Sequence, residues 1–179
     1  GVVALTIGST VTLGSGTTFT AGSFTHNVAG NWTNNGGTFT NTGSAINFNG
    51  TTQTIGGSAT TTFNNVSTGG STNTSTGIAT TISGNLSIGN GTTFTAAGYA
   101  LTVTGATTVG GGASGSLVIN NATGTKIFTG LVTIANGATW NNSGNSAVTF
   151  RGGITHTGAT FTAGTGVYTF DTNSQAIGG

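Results

Sequence analysis

The chain has 179 residues, 34% of them hydrophobic, yet only 2% are charged: Lys126, Arg151 and Asp171, with a net charge of +1. An ordinary soluble domain carries about 25% charged residues, so phosphates meet no basic face and cations no acidic one, and nucleic-acid binding and electrostatic membrane attachment have no support. The absence of Cys excludes disulfides and thiolate chemistry, no apolar run approaches the ~20 residues of a membrane span, and ten Phe argue against a disordered Gly-rich linker.

In chain order, residues 11–19 read VTLGSGTTF, and the design returns as LSIGNGTTF at 86–94 and VTIANGATW at 132–140. Each copy runs apolar, hydroxyl, apolar, a tight turn ending in Gly, then Thr and an aromatic, which predicts a strand, a corner and a second strand. Ser15-Gly16, Asn90-Gly91 and Asn136-Gly137 fill the turn because Gly and Asn tolerate positive φ. Thr38-Phe39-Thr40 recurs as Thr160-Phe161-Thr162. FNGTTQTIGG at 48–57 recurs as FDTNSQAIGG at 170–179, where Phe48, Gln53, Ile55, Gly56 and Gly57 match Phe170, Gln175, Ile177, Gly178 and Gly179. The displacement is 122 from Phe48 to Phe170 but 121 from Phe19 to Trp140, so one residue has been gained or lost between them. Residues 1–57 and 122–179 thus read as two copies of one block in a single repetitive domain spanning 1–179, with a diverged middle at 58–121.

A shorter period lies inside the blocks. Phe19, Phe39 and Phe63 follow one another at spacings of 20 and 24, Phe94, Leu117 and Trp140 at 23, and Phe161 comes 21 later, all lengths of a solenoid coil. This predicts an inward aromatic column of Phe19, Phe39, Phe63, Phe94, Trp140 and Phe161. The spacing breaks between Phe63 and Phe94, and the polar stretch 67–76 is expected to be a loop or irregular coil.

Alternation at period 2 is plain in ALTVT (100–104), AVTF (147–150) and GVYTF (166–170), whereas no segment shows a 3.6 period. Strands this short, divided by Gly and Asn, fit an all-β parallel β-solenoid (β-helix) with coils of about 20–24 residues; β-sandwich repeats, whose turns fall every 8 to 12 residues, are the alternative. Stacking at ~4.8 Å would set like residues above one another as apolar columns and Asn or Thr ladders. One coil alone cannot offset backbone ordering at about 1–2 kcal/mol per residue, so neighbouring coils must supply the difference. Neither end carries Pro, a cluster of charges or a capping helix to blunt the sheet edges. Residues 176–179 stop where the first copy continues into SATTTF, so further coils are expected, from the same polypeptide or from a second copy docking end to end. The start at Gly1, without Met or a signal peptide, reads as the product of processing or excision.

The strings SGTTFTAG, FNGTTQTIGG and SATTTFNN resemble the Gly/Thr/Asn-rich repeats of very large secreted bacterial surface proteins, of the adhesin-like and filamentous β-solenoid class. The resemblance covers the whole chain through repeat style and composition. It implies an extracellular or cell-surface location and a structural or adhesive role, and it transfers no functional residue.

No catalytic, cofactor-binding or metal-binding residue is expected. β-Helical lyases and hydrolases need paired carboxylates, a metal or a cationic base, and Asp171 is the only acid. His156 precedes Asp171 by less than one coil, but no nucleophile elbow accompanies the pair. His26 and His156 have no partner at ligand spacing. Lys126, Arg151 and Asp171 are expected outside, with an ion pair between chains as the alternative. Trp140 takes a slot held by Phe elsewhere and is expected in the core; Trp32 and Tyr168 could complete a sugar-stacking platform. In the Thr-x-Thr runs, Thr18 and Thr20, Thr38 and Thr40, Thr93 and Thr95, and Thr160 and Thr162 point to one face with the aromatic on the other. Asn-x-Ser/Thr sequons at Asn31, Asn49, Asn65, Asn73, Asn85, Asn90, Asn121 and Asn141 admit glycans.

These features predict a structural subunit or repeat segment of an extracellular fibre, sheath or adhesin stalk, and no enzyme. Its partner is itself, as a head-to-tail homopolymer or as the continuation of a longer array, with glycans a second partner class. The alternative is a binding module for ice or glycan with an outward Thr or aromatic face. So few titratable groups predict stability nearly flat from roughly pH 3 to pH 9.

Overall fold

A computed structural model describes residues 3–70, 73–172 and 175–179. The chain is an all-β parallel solenoid of about eight turns, roughly 21 residues per coil, with no helix among the described residues. Three short strands alternate with corners in every coil. The first face is a nine-stranded parallel sheet of Thr6–Ile7, Thr25–Val28, Ala45–Phe48, Asn65–Thr68, Leu86–Ile88, Thr107–Val109, Val132–Ile134, Ile154–His156 and Ile177–Gly178. The second stacks eight: Val11–Gly14, Trp32–Asn35, Thr52–Gly57, Asn73–Thr76, Thr93–Ala96, Ser116–Ile119, Thr139–Asn141 and Thr160–Thr162. The third face is split into a pair, Thr18–Thr20 with Thr38–Thr40, and a six-stranded sheet of Thr61–Phe63, Thr80–Ile82, Leu101–Val103, Lys126–Phe128, Val148–Phe150 and Tyr168–Phe170.

Corners form where the sequence supplies Gly. Gly16, Gly91 and Gly137, the last residues of the three recurring turns, have φ of 77°, 70° and 72°, a region closed to most side chains. Insertions are also confined to corners: the coil from Asn27 to Asn47 is short and the one from Thr108 to Thr133 longer, while the strands stay in register.

Inward residues form columns because the side-chain period is two and the register is one-for-one. On the first face His26, Ile46, Val66, Leu86, Thr107, Val132 and Ile154 make one column, and Val28, Phe48, Thr68, Ile88, Val109 and Ile134 its neighbour. On the second, Gln53, Thr74, Phe94, Leu117, Trp140 and Phe161 stack in order. On the third, Phe63, Ile82, Val103, Phe128, Phe150 and Phe170 do so. Phe48, Phe63, Phe94, Phe128 and Trp140 are completely buried.

Several sequence expectations are revised. The six aromatics form two columns, not one: Phe19, Phe39 and Phe63 lie on the third face with rings 5.5 and 5.8 Å apart, and Phe94, Trp140 and Phe161 lie on the second. A spacing of about one coil fixes the coil but not the face. The two sequence blocks are likewise seated one face apart: residues 11–13 are on the second face and 132–134 on the first, Phe19 on the third and Trp140 on the second, Phe48 on the first and Phe170 on the third. The stretch 67–76 is no loop where described, although Ser71 and Thr72 lie outside the described residues: Asn65–Thr68 and Asn73–Thr76 are regular strands. Their inward slots are filled by Thr68, Thr74 and Thr76, all buried, so the apolar rhythm vanishes while the coil persists.

Between the second and third coils the second face carries a dislocation. Val11 pairs with Trp32 and Leu13 with Asn34, but Trp32 then pairs with Ile55 and Asn34 with Gly57. One column therefore ends at Gly57, and a new one begins at Gln53. A Cβ on Gly57, whose φ is 120°, would lie 2.0 Å from the Asn34 carbonyl oxygen, so only glycine fits. Both inward amides at this step satisfy backbone groups of the corners. Gln53 Nε2 donates to Val28 O (2.8 Å) and Gly30 O (2.5 Å), and its Oε1 accepts from Gly50 N (2.8 Å). Asn34 Nδ2 donates to Thr60 O (3.1 Å), and its Oδ1 accepts from the amides of Gly36 and Gly37.

Candidate functional site

The residues able to do chemistry are dispersed and committed to structural partners. Lys126 is fully buried, against the sequence expectation of an exterior charge. Its stem occupies the third-face column between Leu101 and Val148, and Nζ donates to Tyr99 O (2.9 Å), Thr123 O (3.1 Å) and Gly124 O. Three carbonyls replace the hydration shell of the ammonium, but burial still pushes the amine down from 10.5 to about 8. Arg151 and Asp171 are exposed and pair within the chain across adjacent coils, at 3.1 Å. The hydrogen bond and charge of Asp171 hold the guanidinium above its ordinary range. Asp171 thus faces a cation, and the His156 ring stacks on Phe161 at 5.9 Å between centroids. His26 is buried: Nδ1 accepts from Leu5 N (3.2 Å), which leaves Nε2 to donate to Ala21 O (2.8 Å). Among the described residues no group of three or more His, Cys, Asp or Glu could hold a metal ion.

The proposed sugar platform is not assembled on the surface. Trp32 is buried edge-on to Phe39 and Phe63, with Nε1 donating to Thr61 Oγ1 at 3.1 Å. Trp140 donates from Nε1 to the Tyr168 hydroxyl at 3.2 Å, and that hydroxyl donates to Ala163 O. Each indole N–H has a partner inside the coil stack, as burial requires.

The outward positions are mostly polar, with Ile127 and Val118 as exceptions, and differ between faces. On the first face Asn47 Nδ2 donates to Asn27 Oδ1 (2.8 Å) and Ser67 Oγ to Asn47 Oδ1 (3.0 Å), a ladder that satisfies itself. The third face carries one outward rank, Thr62, Thr81, Thr102, Thr149 and Thr169, broken by Ile127. Thr18, Thr20, Thr38 and Thr40 are exposed at the head of that face. The second face carries two ranks and includes Thr93, Thr95, Thr160 and Thr162. The Thr residues singled out in the sequence thus point outward from two faces.

Both ends of the stack present apolar rungs. At the C-terminal end Phe150, Ile154, His156, Phe161, Phe170 and Ile177 line an open cavity of about 350 Å³, and Ile177 is 68% exposed. At the other end Val3 and Leu5 are 59% and 38% exposed. The repeated motif, so alike in sequence, splits here. Gln53, Ile55, Gly56 and Gly57 are built into the second face at the dislocation, whereas Ile177 and Gly178 form the last strand of the first face and Gly179 lies against His156. Gln175 is tied to Thr172 through Nε2.

Comparison with known proteins finds no matching family model, no matching curated protein and no matching solved structure. Sequence reasoning missed the buried ammonium and the two inward amides of the dislocation. The signal available was position: Lys126 begins KIF and Gln53 sits in QTI, each two positions before an inward apolar residue.

Proposed function

We propose that the chain is a structural segment of an extracellular fibre, sheath or adhesin stalk, extended by coil-on-coil stacking at its ends. The observation that carries this reading is the open apolar cavity at the C-terminal rung, where Ile177, Phe161 and Phe170, from all three faces, offer apolar surface on which another coil could pack. A first-face strand such as Thr6–Ile7 set upon Ile177–Gly178 would extend the sheet in register and cover Ile177 with Leu5, using parallel backbone hydrogen bonds as every other rung does. The repeat style, similar to that of secreted bacterial surface proteins, supports the extracellular location. On this reading the chain is no enzyme and uses no cofactor; its partner is another solenoid coil, from a second copy or from further repeats.

Negative-stain micrographs of the purified chain test the reading. Long fibres of uniform width are expected, and Ile177→Asp with Phe170→Asp should reduce them to monomers whose β-sheet circular dichroism is unchanged. Dispersed monomers at every concentration, or fibres indifferent to the double substitution, would refute it.

A further inference from the structure

The second face has a property that stacking does not use. From Thr52–Gly57 onward its strands pair one-for-one without a slip, so the outward residues form two straight ranks. Thr52, Thr93 and Thr160 belong to one rank, Thr54, Thr95 and Thr162 to the other. Ranks two residues apart are separated by about 6.6 Å, and successive strands by ~4.8 Å. The oxygen lattice on a prism face of hexagonal ice repeats on a rectangle of nearly these dimensions.

Unlike the Asn27–Asn47–Ser67 ladder of the first face, the hydroxyls of these six Thr make no hydrogen bond to the protein among the described residues. They remain free for water, and their methyl groups fill the space between. No charge lies on the face: Lys126 is buried in the third-face column, and Arg151 and Asp171 follow third-face strands. Strongly hydrated ions, which would impose their own order on nearby water, are therefore absent from it. The corner insertions leave both ranks in line. Val118 and Asn141 interrupt one rank, in which Ser75 Oγ donates to Gln53 O, and Asn73 interrupts the other, which Ser116 and Thr139 continue.

We infer that this face is a water-ordering surface that binds ice. Two other occupants fit less well. The array of six strands by two ranks covers roughly 300 Å², against about 800 Å² per partner in a stable protein complex, which is too little for a second copy. Sugar surfaces are held by outward aromatic rings, and the aromatics of this face, Trp32, Phe94, Trp140 and Phe161, all belong to inward columns.

Nanolitre osmometry on the folded chain, with ice-recrystallisation microscopy, tests the inference. Thermal hysteresis and faceted ice crystals are expected. Thr95→Lys should abolish both, Thr54→Lys should do the same from a different strand, and Thr81→Lys on the third face should leave them intact. Circular dichroism selects the variants that fold. Absence of hysteresis in the unsubstituted chain, hysteresis that survives both second-face changes, or equal loss in Thr81→Lys would overturn the inference, as would retention on crystalline cellulose with none on ice. Loss of fibres on Ile177→Asp with hysteresis retained would separate this face from end-to-end stacking.

Discussion

The first two coils and the six that follow share one strand-and-corner design but are packed differently on the third face. From the third coil on, third-face strands turn two residues inward, as in Thr61 and Phe63, Thr80 and Ile82, or Val148 and Phe150. In the first two coils the same face turns one residue inward, Phe19 or Phe39, and leaves Thr on both sides exposed. In the later coils Phe63, Ile82, Phe94, Val103, Phe128 and Trp140 are completely buried, up to the open last rung, whereas Phe19 and Phe39 are half-buried. The dislocation at Asn34, Gln53 and Gly57 joins the two regimes. Corners of a solenoid are chemically alike, so a motif that specifies strand, corner and strand does not specify which corner. Phase is set by packing against the coil already present, and polar inward residues appear where the phase must change.

Substitutions can break or sharpen this contrast, and the largest effect should come from the regular region. Phe94→Ala empties a sealed column and should cost about 3–5 kcal/mol in denaturant unfolding, while Phe19→Ala should cost only about 1–2 kcal/mol because its ring is half in water already. Equal losses would erase the distinction. The next effect concerns the buried charge of the regular stack. Because the Lys126 amine titrates near 8 when folded and near 10.5 when unfolded, the unfolded chain holds more protons between those values. Stability should therefore rise with pH across that window, by up to about 3 kcal/mol, where the composition alone predicts flatness to pH 9. In Lys126→Met the rise should vanish, and a slope that persisted would assign it elsewhere.

At the dislocation, Gln53→Ala strands Gly30 O and Gly50 N, while Val28 O keeps the Asn49 amide, and should cost about 2 kcal/mol by thermal or chemical melting. If the loss is negligible, the amide is not what holds the step. The smallest effect has the opposite sign. Thr74 Oγ1 and Thr107 Oγ1 are buried without a hydrogen-bond partner, so Thr74→Val should raise stability by about 1 kcal/mol. A drop would mean that the hydroxyl is satisfied after all.

The coil and its corners were legible because their signals are local. Gly16, Gly91 and Gly137 announce positive φ, and runs such as Leu101–Val103 alternate cleanly. Face assignment was illegible, because the displacement between the two sequence blocks measures distance along the chain and not rotation about the axis. The stretch 67–76 misled because Thr can replace Val in shape when a neighbouring hydroxyl is within reach, as Thr68 and Thr92 show at 2.6 Å. Lys126 misled because charge normally implies solvent, and the three carbonyls that receive it come from Tyr99, Thr123 and Gly124, which no spacing rule brings together. Among the expected sites, the Thr ranks could be read from the Thr-x-Thr spacing. Their freedom from internal bonding could not.

The constant one-coil offset between neighbours has a mechanical corollary. Partners such as Asn27 and Asn47, or Thr108 and Thr133, are separated by a single circuit of the backbone wherever they sit, so the average loop closed on folding does not lengthen as more repeats are added. Under tension from its ends, such a body would yield one turn at a time, each rupture releasing a similar length of slack while the remainder stays intact, and it would rewind by the same small increments once the load is removed.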